Sequence, residues 1–207
     1  LQNIADAQHA NGAVPTTAPE YVVFEGPGMD AFAESPEWGC TFVVLPFMYY
    51  ETYGDDSLIR KYYNGMRRYI DYMTTRANDG IVSFGLGDWY DYGDFRAGFS
   101  RNTPVPLVAT AHYYMVVRYL VEAARMLDNR YDVAYYTHLG EEINKAFHRE
   151  FYHKDTRQYG TGSQCSNALP LFLDMVLSRG HSGGYEMDRH LERKVFKNLI
   201  KDVEPDV

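Results

Sequence analysis

The residues best suited to chemistry lie in two short stretches. SPEWG, residues 35–39, carries Trp38, and GLGDWYDYGDF, residues 85–95, carries Trp89, the only other tryptophan. An indole offers a flat apolar face to the C–H side of a sugar ring and an N–H to a hydroxyl. Carboxylates stand beside each: Asp30 and Glu34 ahead of Trp38, Asp88 and Asp91 around Trp89. Acids accept hydrogen bonds from vicinal hydroxyls, so an aromatic platform flanked by acids suits a carbohydrate pocket. The same residues allow a plainer reading, in which Trp38 packs under its loop and the acids cap helices. Gly85, Gly87 and Gly93 permit backbone shapes that other residues resist. A loop wrapped around a ligand needs them, and so does a tight connection.

Other chemistries find little support. The histidines (His9, His112, His138, His148, His153, His181 and His190) form no HExxH and no ligand-like pair, so no metal site is expected. GxGxxG and P-loop patterns are absent, and no cofactor is expected. Ser163, in GTGSQC, lacks the setting of a nucleophile elbow and reads as a helix cap. Gln164 stands within reach of a pocket rim, with core or capping as its plainer role.

The totals agree with a packed, soluble-type chain. It has 207 residues, 45% hydrophobic and 15% aromatic, enough for a real core and too apolar for disorder. Its 19 tyrosines suit either a polar-lined cavity or helix–helix contacts. With a net charge of −8 and no basic run, a nucleic-acid partner is not expected. Cys40 and Cys165 make no metal spacing and leave the redox compartment open. The longest apolar run, residues 40–50, is too short to span a bilayer, so no membrane partner is expected. Neither a cytoplasmic nor an exported location follows from this.

The elements that must position these residues read as helices without convincing strand pairs. Ser35-Pro36-Glu37 opens the first, which Gly54 ends, and its body is apolar on nearly every side. An amphipathic helix follows from Asp55 or Asp56 to about Arg76. The pair then repeats. Asn102 or Thr103 caps a largely apolar helix to about Leu127, and an amphipathic one runs from about Tyr131 to Phe151. A third apolar helix covers QCSNALPLFLDMVL after Ser163, and a charged one follows over about 186–202. Buried and amphipathic helices alternating three times predict an inner and an outer layer, hairpin by hairpin. The fold class is therefore all-α, a partial toroid of about three hairpins. Links within pairs are short. Links into the inner helices, about 9–35, 78–102 and 152–162, are long and gather at one end, where a rigid scaffold can hold functional loops together. Three hairpins make half of a closed six-hairpin ring. Residues 1–207 are thus expected to form one unit of a longer catalytic domain, cut at both ends.

The motifs NG-x-VP (residues 11–15), SPEWG, GDW and YGTGSQCSNALPL, in that order, resemble the (α/α)6 catalytic domain of bacterial α-L-rhamnosidases, glycoside hydrolase family 78. The resemblance runs through nearly the whole chain. It implies an inverting hydrolase that releases terminal L-rhamnose from glycans or glycosides. It also implies that the general acid and base lie outside these residues, because the Arg-Asp-Glu and Trp-Thr-Gly-Asp segments are absent here. No catalytic residue is expected within the chain. Trp38, Trp89 and Asp30 match sugar contacts, with Asp88 as a lower-ranked neighbour. The partners implied are a rhamnoside and the remainder of the parent chain. Two other readings remain open at this point. One is another toroidal carbohydrate enzyme, either a different glycosidase or a lyase with a Tyr/His pair near Trp89, for which His112 is the candidate; the other is a non-catalytic sugar-binding or scaffold protein.

Overall fold

The computed structural model describes residues 1–179 and 185–203. Helices dominate. Short α1 (Gln2–Ala7), α2 (Asp30–Ala33) and α3 (Pro36–Gly39) precede α4 (Thr41–Tyr53) and α5 (Ser57–Arg76). After β1 (Asp91–Gly93) and β2 (Phe95–Gly98) come α6 (Val105–Met126) and α7 (Arg130–Phe151). The third pair is α8 (Gln164–Phe172) and α9 (Arg189–Val203), with β3 (Tyr152–His153) and β4 (Gln158–Tyr159) before it. Between its members lie β5 (Leu177–Arg179) and β6 (Tyr185–Met187).

The six long helices form three hairpins, as the alternating pattern predicts: α4/α5, α6/α7 and α8/α9. Gly54 ends α4 in the left-handed conformation, φ 70°, which glycine adopts without penalty. Asn129 caps α7, its side chain accepting the Asp132 N–H at 3.1 Å. The central element is α6. It packs against α4, α5, α7 and α8. It also feeds both apolar clusters. Val116 and Leu120 join Phe42, Ile59, Met66 and Ile70 in the first, while Leu107, Val108 and Ala111 join Phe147, Met175 and Val195 in the second. Burying each such large apolar side chain stabilises the fold by roughly 1.5–3 kcal/mol.

Several expectations need correction. The first helix is not continuous from Ser35 to Tyr53; it breaks at Cys40 into α3 and α4. Nor is α4 buried on all sides, since Leu45 and Met48 are 38% and 55% exposed. Their side of α4 has no covering element among the described residues. Neither Thr103 nor Asn102 caps α6, whose N-cap is Pro104; the Thr103 hydroxyl instead joins two loops, and the Asn102 amide donates to Asp91 and Tyr92 within its own loop. The third apolar helix stops at Phe172, two residues past Pro170, and Asp174 turns the chain with φ 55°. Leu177 is thereby released into a strand. Strand pairs do exist: β1/β2, β3/β4 and β5/β6 are antiparallel two-stranded ribbons. With only two to four residues in each strand, they leave no period-2 signal in the sequence.

Candidate functional site

The three long connections meet at one end of the helical layers and are laced together there. Residues 8–35 reach the second connection through Ser35 and Glu37. The Leu86 N–H donates to Ser35 Oγ at 3.3 Å, and the Gly87 N–H donates to Glu37 Oε1 at 3.0 Å. The Ser35 hydroxyl also donates to the Glu37 carboxylate. The second connection reaches the third through Thr103, whose hydroxyl donates to Asp88 Oδ2 at 3.2 Å and lies 2.7 Å from Ser163 Oγ. Thr161 donates to the Asn102 carbonyl. Ser163 caps α8 as its sequence context predicts, accepting the Ser166 N–H at 3.2 Å.

Gly85 is required by this lacing. It has φ +123°, and a Cβ there would stand 2.7 Å from Glu37 Oε2 and 2.8 Å from Pro36 Cδ. Its reason is close docking of one loop on another, the tight-connection alternative.

The lacing brings the two indoles together. Trp38 and Trp89 have ring centroids 5.9 Å apart at 76°, edge to face, the favoured arrangement for aromatic pairs. Each is 39% exposed, so the pair is neither buried nor fully solvated. Phe32, from α2, packs edge-on against Trp89 at 6.3 Å and against Phe99 at 5.7 Å. Asp30 opens α2 two residues before Phe32, and it is exposed. A cleft of about 300 Å³ lies beside Trp38, lined also by Val14, Pro15, Thr16 and Thr41.

The carboxylates divide into two groups. Three are committed to the protein itself. Glu34 accepts from the Tyr72 hydroxyl and pairs with Arg76; burial and then the hydrogen bond to Glu34 push the Tyr72 phenol above its ordinary pKa. Glu37 is held by Ser35 and Gly87, as above. Asp91 is buried and accepts from the N–H groups of Tyr92, Arg101 and Asn102 at 2.9, 2.6 and 2.7 Å, and from Asn102 Nδ2 at 2.6 Å. Burial raises its pKa, but these donors outweigh burial and hold it below the usual Asp value. The second group, Asp30 and Asp88, is exposed. Asp88 lines a polar cleft of about 560 Å³ with Tyr92, Asn102, Thr161, Ser163 and Gln164.

Neither thiol is a nucleophile at neutral pH. Cys40 is raised to about 12 by burial and then by the Glu37 charge, and Cys165 to about 12 by burial and then by Asp88. His112 spends Nδ1 on the Val108 carbonyl at 2.8 Å within α6. A His/Tyr pair does occur, His148 Nδ1 to Tyr159 OH at 2.9 Å. Both are buried, Tyr159 completely, out of reach of any substrate. This removes the observation a lyase reading required. His181 lies outside the described residues. Among the described residues, no group of three or more His, Cys, Asp or Glu is placed to hold a metal.

Sequence reasoning missed Phe32, Phe99 and the bridging role of Glu37. Glu37 reads locally as a first-turn acid favoured by the helix dipole. Its partner lies on a distant loop, so no local pattern reveals it.

Comparison with known proteins agrees with this architecture. The family model for the bacterial alpha-L-rhamnosidase 6 hairpin glycosidase domain matches residues 1–206. An alpha-L-rhamnosidase of Formosa agariphila is 23% identical over 177 residues, covering 85% of this chain and 18% of that protein. One from Streptomyces avermitilis is 28% identical over 178 residues, covering 85% and 16%. The solved alpha-L-rhamnosidase from Dictyoglumus thermophilum superposes with a TM-score of 0.79 at 26% identity, covering 98% of this chain and 21% of that one. The Streptomyces avermitilis enzyme complexed with L-rhamnose also gives 0.79, at 23% identity over 99% of this chain and 17% of that one, a likeness of fold. The chain spans less than a fifth of the length of these curated relatives.

Proposed function

From the premise that this chain belongs to the bacterial α-L-rhamnosidase six-hairpin glycosidase domain family, we propose that it is part of an inverting glycoside hydrolase releasing terminal α-L-rhamnose from glycans or glycosides. Its share of the work is the sugar-binding wall. The observation that carries this is the half-exposed indole pair, 5.9 Å apart, on the rim where the connections meet. One indole takes the C–H face of the sugar, and Asp30 accepts from its hydroxyls. Asp88 serves the same end from the neighbouring polar hollow.

The general acid and base belong to the remainder of the parent chain. Inversion needs two carboxyl groups about 6.5–9.5 Å apart with a water between them. Glu34, Glu37 and Asp91, the firmly held acids of the rim, spend their oxygens on protein donors. The rest of the parent also covers the apolar side of α4 at Leu45 and Met48.

The test is kinetic and uses the intact parent. Trp89→Ala lowers kcat/KM on an aryl α-L-rhamnoside at least tenfold, a loss of about 1.4 kcal/mol in transition-state binding, with folding preserved. Residues 1–207 alone give no turnover. Unchanged kinetics in the variant remove Trp89 from the site, and robust activity of the isolated chain refutes the missing acid and base.

A further inference from the structure

Away from the rim, a groove of about 620 Å³ runs between the C-terminal half of α6, the middle of α7 and the β5/β6 ribbon. Its size falls within the roughly 300–1,000 Å³ of small-molecule sites. Gly140 opens its wall in the middle of α7, where an added Cβ would meet only Val117 Cγ1 at 3.6 Å and Tyr114 Cε2 at 3.8 Å, ordinary contacts. Asn144 lies one turn further along. It is 7% exposed, and its Oδ1 has no hydrogen-bond partner among the described residues. A buried amide oxygen left unmatched is costly, and it marks a place for a donor.

The lining constrains that donor's owner. Arg118, Arg125 and Lys145 are balanced by Glu122, Glu141 and Asp174, so the groove favours neither an anion nor a cation. The unmatched oxygen accepts and cannot donate, so whatever fills this corner must offer it a donor. Val117, Val121 and Gly140 supply an apolar strip beside these polar groups. A neutral ligand with apolar C–H faces and many hydroxyl donors meets all three demands.

We infer that the α6/α7 groove is a second carbohydrate-binding site, distinct from the rim, which holds a neutral segment of the glycan while the rim engages its terminal sugar. The need for a neutral hydroxyl donor stands on the groove alone. The choice of a rhamnose-bearing glycan rests on the rhamnosidase reading.

The experiment uses the intact parent enzyme and a rhamnose-terminated trisaccharide carrying a diazirine at its reducing end. After photolysis, peptides from α6 and α7 are expected to carry label. That label survives Trp89→Ala and falls at least fivefold in Gly140→Leu, which fills the groove. It falls likewise in Asn144→Leu, which removes the acceptor together with its unmatched burial and so should fold at least as well. Gly140→Leu leaves kcat/KM on a small aryl rhamnoside unchanged. Absence of label on α6 and α7, or label unaltered in both variants, overturns the groove. Wild-type kinetics in Trp89→Ala overturn the rim instead, so the two failures are read by different measurements.

Discussion

Glu37 Oε1 accepts the Gly87 N–H at 3.0 Å, and this bond joins the turn that carries Trp38 to the loop that carries Trp89. A second anchor of the junction is the Ser35 hydroxyl, which accepts from Leu86 and donates to Glu37 itself. The edge-to-face indole pair is the product of this junction. Neither tryptophan could hold that geometry alone, since Trp89 sits on a loop and Trp38 on a single helical turn.

Glu37→Ala is expected to strand the Gly87 N–H and to cost about 1–3 kcal/mol, the penalty of an unmatched partly buried donor. Both tryptophans lie at the junction, so the intrinsic fluorescence of the chain reports it directly. A shifted emission maximum together with a lower denaturant midpoint is the expected result. Gly85→Ala should act in the same direction without removing any bond, because its Cβ would press on Glu37 and Pro36.

Asp91→Asn should be more damaging than a surface acid change. The carboxylate gathers three backbone N–H groups and one amide, and an asparagine in its place turns one acceptor into a donor facing donors. A loss of about 2–3 kcal/mol is expected. The loop to Asn102 should loosen with it and release Phe99 from Phe32. Amide hydrogen exchange at Arg101 and Asn102 measures this directly.

His148 sets a pH dependence. Burial lowers its pKa from 6.5 to about 4, so between those values the unfolded chain binds the proton and the folded chain does not. Stability is therefore full above about pH 6.5 and falls as pH drops toward 4. Asp91, held below its ordinary 3.8, adds to the decline only at still lower pH. Denaturant midpoints from pH 7 to 4 should show the slope, and His148→Phe should flatten it.

The hairpin plan was legible in the sequence because inner helices are apolar around most of their circumference and outer helices along one stripe. The convergence of the long connections follows from that plan. What was not legible were side chains with two plausible local uses. Thr103 and Ser35 sit where helix caps belong, yet their hydroxyls cross to other loops. Those partners are set by packing and not by spacing. Leu45 and Met48 show another limit: an apolar residue states that it seeks cover without saying which part of the chain provides it. At the site, the sequence marked both indoles and grouped Asp88 with them. Asp88, next to Trp89 in the chain, lines the polar cleft with Ser163 and Gln164.

The double duty of α6 has a mechanical outcome. Its first turns complete one apolar cluster and its later turns complete the other, so neither outlying hairpin owns a self-sufficient interior. Melting should accordingly proceed as one cooperative event, with the flanking pairs lost together when the shared rod gives way.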